Sequence, residues 1–435
     1  MTRQSPSVAY HTELPLLADC DVLVVGGGSA GCTAAVAAAR QGSRVVLVEK
    51  YGFPGGTAVM VLDTFYGFFT PGSVEKKVVG GVPDEVVDGL KNRGVLLKRP
   101  NTYGAGAGLT YDPEILKRVW DELLCDAGVT LYLHTRFVDV LMDGVRPFGI
   151  VVATPRGPQA IRCRCLVDTT GDAEVAARAG APFEDAGALG IAQSLTTTFK
   201  MINVDVQRAT AFPKQSMWDL MRDHSDRYQL PRKEGSAHIT PHAGVMVTNM
   251  TRVSGVDATD VEALSKAERE GRLQAFEYAR FLKDKVPGYE HAILGGLSTQ
   301  IGVRETRRIR GEYWLTKEDV LAARKFTDAI ARCGAPIEEH HAGESTRWEY
   351  LPDGEHVDIP YRALLPLQIE GMLVAGRCLS ASHDAHASVR SIGQCLAMGQ
   401  AAGVAAALAA ETRGDPRSID PTELRRRLTQ MGAIL

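Results

Sequence analysis

The sequence predicts an α/β chain built around a parallel sheet, and three features carry that expectation. The run Asp21-Val-Leu-Val-Val25 is apolar and β-branched without polar alternation, as a strand buried on both faces requires. It enters Gly26-Gly-Gly-Ser-Ala-Gly31 and then an Ala-rich helix from Cys32 to Gln41, which Gly42 is suited to cap. A second buried run, Arg44-Val-Val-Leu-Val48, ends at Glu49 and closes a βαβ unit of about 30 residues.

Residues 1–20 precede this unit as a short leader. From Tyr51 to Gly108 the chain is Gly-rich with little periodicity, which marks a functional or ligand-wrapping segment. Asp112-Pro113 supplies an N-cap and a first helical residue for a helix to about Asp126, and Val129–Leu133 reads as a further parallel strand. Phe137–Met142, Gly149–Ala153 and Ile161–Val167, separated by Asp143-Gly144 and Pro155-Arg-Gly157, predict an antiparallel meander. Its last strand delivers Asp168-Thr-Thr-Gly-Asp172 to a helix start. Composition shifts near Gly187. A β segment (Leu195–Ile202), a long amphipathic helix (Asp260–Lys285) and a polar strand (Thr299–Tyr313) then predict a second unit. The closing part returns to the first style with Met372–Ala375, the turn Gly376-Arg377, an irregular stretch and a small-residue helix from about Ile392 to Ala410. The Arg-rich tail from Arg413 predicts a short solvated helix. The expected division is 18–186 with 362–412 as one discontinuous domain, and 187–361 as an interwoven α+β cap.

The bulk numbers exclude several functions. At 435 residues the chain suits two or three domains at roughly 150 residues each. Lys plus Arg total 49 against 52 for Asp plus Glu, a net charge of −3, so nucleic acid is not the expected partner. Apolar runs such as Val404–Ala410 fall short of the roughly 20 residues of a membrane span. Met1–Tyr10 lacks a basic-then-apolar signal pattern. Eight cysteines without a Cys-x-x-Cys pair argue against a disulfide framework or a zinc site, and a reducing cytoplasm is expected.

Gly26-x-Gly28-x-x-Gly31 gains its meaning from the strand before it and the helix after it. Gly26 permits the tight turn, Gly28 lets backbone approach a diphosphate beside Ser29 and Ala30, and Gly31 lets the helix pack closely. Glu49, 18 residues past Gly31, is placed to accept from a ribose hydroxyl and to repel a 2′-phosphate. An adenine dinucleotide is expected here. A nicotinamide enzyme would continue in regular βαβ units; this chain inserts an irregular excursion and a meander instead.

In that order of elements the chain resembles the glutathione-reductase-type FAD-binding fold. It resembles more closely an FAD-dependent oxidoreductase family carrying Glu49-Lys50, Gly55-Gly56-Thr57, Thr170-Gly171-Asp172-Ala173, Gly302-Val-Arg-Glu-Thr-Arg-Arg308, Val374-Ala-Gly-Arg377 with Ser382-His383, and Gly399-Gln-Ala-Ala-Gly403. The resemblance implies FAD, with Gly55, Gly56 and Thr57 by the pyrophosphate and flavin, the Val138 backbone by the adenine, and Gly376-Arg377 by the diphosphate or ribityl chain. It also implies a helix beginning near Gly393 with its N-terminus at the flavin. Gly171 and Asp172 read either as part of that site or as a helix N-cap. Gly399 and Gly403 read as close helix–sheet packing. Arg377 departs from the acid that many related flavoproteins place after the strand-ending glycine.

No second strand–Gly-x-Gly-x-x-Gly–helix unit exists, so a small polar substrate is expected to reduce the flavin directly, with oxygen or a separate acceptor reoxidising it. Oxidation of a C–OH or C–N centre needs a base. His383 and His386, between Gly376-Arg377 and the last long helix, are the candidates, with a structural role as the alternative. His340-His341 are weaker ones. Arg304 is the candidate carboxylate clamp, on a strand whose faces would alternate as Arg304, Thr306, Arg308, Arg310 and Ile301, Val303, Glu305, Arg307, Ile309. The alternative there is a solvated edge with an ion pair at Glu305. Reduction of an activated C=C by electrons from another protein, and a nicotinamide-binding Rossmann protein, are the competing functions. Homo-oligomerisation is left open.

Overall fold

A computed structural model describes residues 8–100, 104–188, 192–340, 346–412 and 415–435. The opening unit forms as β1 (Leu16–Val25), α1 (Ser29–Arg40) and β2 (Val45–Val48), with β1 and β2 parallel from Val22↔Val45. All four residues of β2 are buried, which is why its sequence does not alternate.

The stretch that reads as aperiodic is folded. It contains α2 (Thr57–Met60), β3 (Thr64–Phe65), α3 (Val82–Lys91), β4 (Leu96–Pro100) and β5 (Ala107–Tyr111), and its strands make an antiparallel sheet ordered β3-β5-β4. Strands of two and five residues are too short to print a period on the sequence. Next come α4 (Pro113–Asp126), capped by the Asp112 side chain, and β6 (Thr130–Tyr132). The meander is β7 (Arg136–Asp143), β8 (Arg146–Thr154) and β9 (Gly157–Asp168). β9 runs past β8 to pair in parallel with β1, so the meander extends the main sheet in the order β6-β2-β1-β9-β8-β7.

α5 (Glu174–Arg178) and β10 (Phe183–Asp185) lead into β11 (Phe199–Ile202), α6 (Val206–Ala211), α7 (Lys214–Asp223), β12 (Ser236–Ile239), β13 (Val245–Asn249), α8 (Val261–Lys285) and β14 (Ile293–Leu297). These strands form a sheet ordered β12-β13-β11-β14 over a separate core that includes Met201, Met221, Tyr228 and Tyr278. α8 starts where its sequence signal does, with the Asp260 side chain accepting from Ala263 N–H.

The strand expected over Thr299–Tyr313 shrinks to β15 (Arg307–Ile309), paired with β10. Glu305 and Arg308, assigned above to opposite faces, meet in a buried ion pair of 2.8 Å. Alternation needs a ladder partner at each position, and here the ladder covers Arg307–Ile309, with isolated bridges at Gly302 and Gly311.

α9 (Lys317–Leu321), β16 (Ala329–Cys333), β17 (Ile337–Glu339), β18 (Arg347–Glu349) and β19 (Val357–Pro360) follow. Val320, Ile330, Ile337 and Ile359 share the hydrophobic cluster of α1, so this segment packs with the dinucleotide unit although composition groups it with the 187–361 cap. β20 (Met372–Val374) adds to β9 in parallel. α10 (His383–Val389) occupies the stretch that reads as irregular, and α11 (Ile392–Glu411) is the small-residue helix. α12 (Pro421–Gln430) is anchored rather than fully solvated, because Leu424 and Leu428 are buried in the core; Arg413 lies outside the described residues.

Among the described residues one helix, α11, is long and apolar enough to cross a membrane, and 94% of its apolar window is buried inside the protein. It packs on both α1 and the main sheet, with its glycines turned to α1. A Cβ on Gly399 would lie 2.1 Å from Ala30 O, and one on Gly403 2.1 Å from Ala34 O. The two helices therefore touch backbone to backbone. Gly399→Val should cost about 3 kcal/mol or more, or prevent folding, as read by denaturant unfolding against the wild type.

Candidate active site

One continuous cavity runs from the C-terminal end of β1 to the sheet of β11–β14. Its first half is bare backbone. Gly26 has φ +99°, and a Cβ there would lie 2.6 Å from Thr169 O. The loop before α2 closes over this turn: Gly55 N–H donates to Gly27 O at 2.7 Å, and a Cβ on Gly56 would lie 2.7 Å from the Gly28 Cα. A Cβ on Gly28 would meet only the Gly56 Cα, at 3.9 Å, so Gly28 fronts open space. Ser29, Ala30, Lys50 and Thr57 line this half.

Glu49 lines it as well, with both carboxylate oxygens engaged. Oε2 accepts from Gly27 N–H at 2.7 Å and Oε1 from Tyr51 N–H at 2.9 Å, while burial pushes its pKa upward. It thus fastens the Gly turn to the end of β2. The cavity reaches Thr135, Arg136 and Phe137 but not Val138, which sits at a β-bulge with its side chain exposed. Gly31, Gly55 and Gly393 stand outside the lining, where they allow close packing. A Cβ on Gly31 would lie 1.8 Å from Gly26 O, and one on Gly393 2.9 Å from Tyr66 O.

Asp172 does not cap α5. Asp168 takes that place, accepting from the N–H groups of Thr170, Val175 and Ala176. Asp172 instead accepts from Arg377 at 2.7 Å and from Thr306 Oγ1 at 2.8 Å. Burial would raise its pKa, but Arg377 and Thr306 outweigh burial and hold the carboxyl below its ordinary range. Arg377, the departure after Gly376, therefore carries its own counter-charge beside Gly171, and all four residues line the cavity.

His383 and His386 lie behind the wall and do not line the cavity, which meets α10 only near its end, at Ala387 and Arg390. His383 Nδ1 pairs with Glu305 at 2.9 Å. His386 Nε2 hydrogen-bonds the Arg377 carbonyl at 2.7 Å. Since a carbonyl only accepts, that nitrogen carries the proton. Burial pulls the His386 pKa down to about 3, which leaves its free nitrogen too weakly basic to serve as a general base. Both rings correct the assignment made from their proximity to Gly376-Arg377.

Arg304 lines the far half of the cavity and donates through Nη1 to Thr196 Oγ1 at 2.7 Å and to Ser194 O. Burial, followed by the charge of Arg390, draws its pKa down to about 9. His340 is also in the lining, paired with Glu338 at 2.9 Å; His341 lies outside the described residues. Burial, then Arg304, holds His340 well below its ordinary value. Glu338 is held at about 2, because His340, Arg390 and Arg304 outweigh the raising effect of burial.

Sequence reading missed the pairing of His238 with Asp63. His238 Nε2, on β12, lies 2.8 Å from Asp63 Oδ1, ahead of β3, and both line the cavity. Burial would raise Asp63, yet His238 and Arg99 outweigh it and keep the carboxylate ionised. An ionised carboxylate only accepts, so Nε2 bears the proton and Nδ1 is left basic. No spacing rule links positions 175 apart.

A family model described as FAD dependent oxidoreductase matches residues 21–428. The chain belongs to that family. This FAD oxidoreductase is 40% identical over 86 residues to 4-oxocyclohex-2-ene-1-carboxylate 5-dehydrogenase of Sinomonas cyclohexanicum, covering 20% of this chain and 13% of that protein. It is 51% identical over 45 residues to urocanate reductase of Eggerthella lenta, 10% and 7% of the two lengths. The chain therefore spans a small part of these curated relatives. Among solved structures, p-nitrophenol 4-monooxygenase of Pseudomonas putida aligns over 95% of this chain and 93% of its own, at 12% identity and TM-score 0.47. A geranylgeranyl bacteriochlorophyll reductase-like protein of Thermoplasma acidophilum aligns over 95% and 84%, at 14% and 0.46.

The protein is an FAD-dependent enzyme with a Rossmann-like fold, and the open front of Gly28 suits the cofactor's diphosphate. Gly56→Val should purify with flavin content reduced about tenfold or more, read from visible absorbance per chain, because the new side chain meets Gly28. A second outcome concerns acid. Folded His386 refuses a proton that the unfolded chain accepts below its ordinary value of 6.5, so stability falls as pH drops from there towards 3. In His386→Gln the unfolding free energy between pH 6 and 4 should fall less steeply, by about 1 kcal/mol per pH unit.

Proposed function

We propose that this FAD oxidoreductase removes hydrogen from a C–OH or C–N centre of a small substrate that carries a carboxylate. The observation that carries this reading is the His238–Asp63 pair standing in one cavity with Arg304. FAD is proposed to lie in the glutathione-reductase-type manner, with its diphosphate along Gly26, Gly28 and Ser29 and its ribityl chain by Gly376, Arg377 and Asp172. Bound there, it supplies the two-electron acceptor.

The chain's own groups then divide the remaining work. Arg304 holds the carboxylate, since the Nη1 bonds to Ser194 and Thr196 fix the guanidinium while no described residue accepts from Nε or Nη2. His238 takes the hydroxyl or amine proton at Nδ1, and Asp63 stabilises the imidazolium that results. Oxygen or a separate acceptor completes the cycle. The carboxylate in the name of the Sinomonas cyclohexanicum relative is in keeping with this chemistry.

Anaerobic mixing with a panel of 2-hydroxy and 2-amino acids should bleach the flavin with at least one of them. An enzyme that no hydroxy or amino acid reduces, but whose chemically reduced flavin is reoxidised by an enoate, runs in the opposite sense. With an active substrate, Arg304→Gln should raise KM about tenfold or more, as losing a charge-assisted contact does. His238→Asn should lower kcat by about a hundredfold or more with a smaller effect on KM.

A further inference from the structure

The far half of the cavity is lined by Arg99, Arg232, Arg304 and Arg390 against two carboxylates, Asp63 and Glu338. Three of these arginines are tied to the wall. Arg99 donates to Thr110 Oγ1 at 2.7 Å and Tyr66 Oη at 3.1 Å, Arg232 to Asn249 O at 3.0 Å, and Arg304 to Ser194 and Thr196.

Arg390 differs. No described residue accepts a hydrogen bond from its guanidinium, and its Nε is buried without a partner. Glu338, which acts on it electrostatically, is bonded to His340 at 2.9 Å and forms no ion pair with Arg390. Arg390 also directly precedes Ser391, the N-cap of the 20-residue helix α11. A cation is unfavourable at that end of a helix, where the amide dipoles already sum to positive charge. A guanidinium that faces the cavity with its Nε buried and no described acceptor, at a helix's positive end, gains from an anion that meets it.

We propose that Arg390 forms a second anion subsite beside Arg304, so that the substrate is a small dianion whose two acid groups are received by the two arginines. This rests on the carboxylate reading of the site given above. Arg390 and Arg304 line the same cavity, and Arg390 is the foremost charge acting on Arg304. One arginine would orient the acid group next to the reacting carbon, and the other would select for length.

The test uses unreactive probes on the FAD-loaded enzyme, followed by the change in the flavin's visible spectrum. Malonate, succinate and glutarate are titrated against acetate, propionate and butyrate. At least one dicarboxylate should bind about tenfold or more tightly than the monocarboxylate of equal carbon count, as one further charge-assisted contact provides. Arg390→Gln should erase that difference while leaving monocarboxylate affinity within about twofold, and Arg390→Lys should restore part of it. Arg304→Gln should weaken both classes. Equal binding of the two classes by the wild type overturns the second subsite and leaves the carboxylate reading standing. So does an Arg390→Gln protein with an altered flavin potential but an unchanged dicarboxylate preference, which would assign the guanidinium to the cofactor. Failure of every carboxylate to bind overturns the carboxylate reading and the second subsite together.

Discussion

The structure depends on the mutual contact of main chains at the C-terminal edge of the sheet. The Gly26 turn, the start of α1, the Gly55-Gly56 loop and the end of β9 converge where side chains would collide, at separations as short as 1.8 Å for a Cβ on Gly31. The same lack of side chains continues along α1 into Gly399 and Gly403 of α11. Glycine there costs conformational entropy, which close packing and the hydrogen bonds of the buried sheet offset. What results is a rigid edge with exposed amides and open space in front of Gly28, and every functional group in the molecule is placed relative to it.

Around that edge charge is arranged in two ways. In the dinucleotide half two carboxylates are held in place: Glu49 by the amides of Gly27 and Tyr51, Asp172 by Arg377. Behind the wall, a chain of ion pairs links His383, Glu305, Arg308 and Glu184 and continues to Arg310. In the substrate half Arg390 has no described acceptor for its guanidinium. Buried ion pairs contribute little net stability and chiefly fix geometry, so the paired half reads as scaffold. The unpaired half is where a ligand's charge has something to gain.

Much of this was legible in the sequence because it rests on local signals. The βαβ unit follows from an unalternating apolar run and its glycines, α8 from the Asp260 cap, and the meander from its turn residues. Failures occur where long-range contact decides. β3 to β5 are too short to carry a period, and residues 301–310 look like a strand only until their missing ladder partners are known. His383 and His386 were chosen for nearness in sequence to Gly376-Arg377, but α10 begins behind the wall and only its last turn reaches the cavity. His238 and Asp63 come together because β12 crosses over the segment leading into β3, a contact that no sequence interval encodes. Arg390 had a readable sign, a cation placed against the dipole of the helix it introduces.

The forked pairing of β9 has a consequence for how the chain is made. This strand holds β8 along its first half, β1 along its second, and β20, more than 200 residues later, at its tip. The surface of α1 is sealed by a helix that starts at Ile392. During synthesis, which proceeds from the N-terminus, the motif that announces the cofactor emerges long before α11 and stays half built until that helix has cleared the ribosome. Nascent chains must therefore wait with an open apolar flank, a natural point for chaperones to engage.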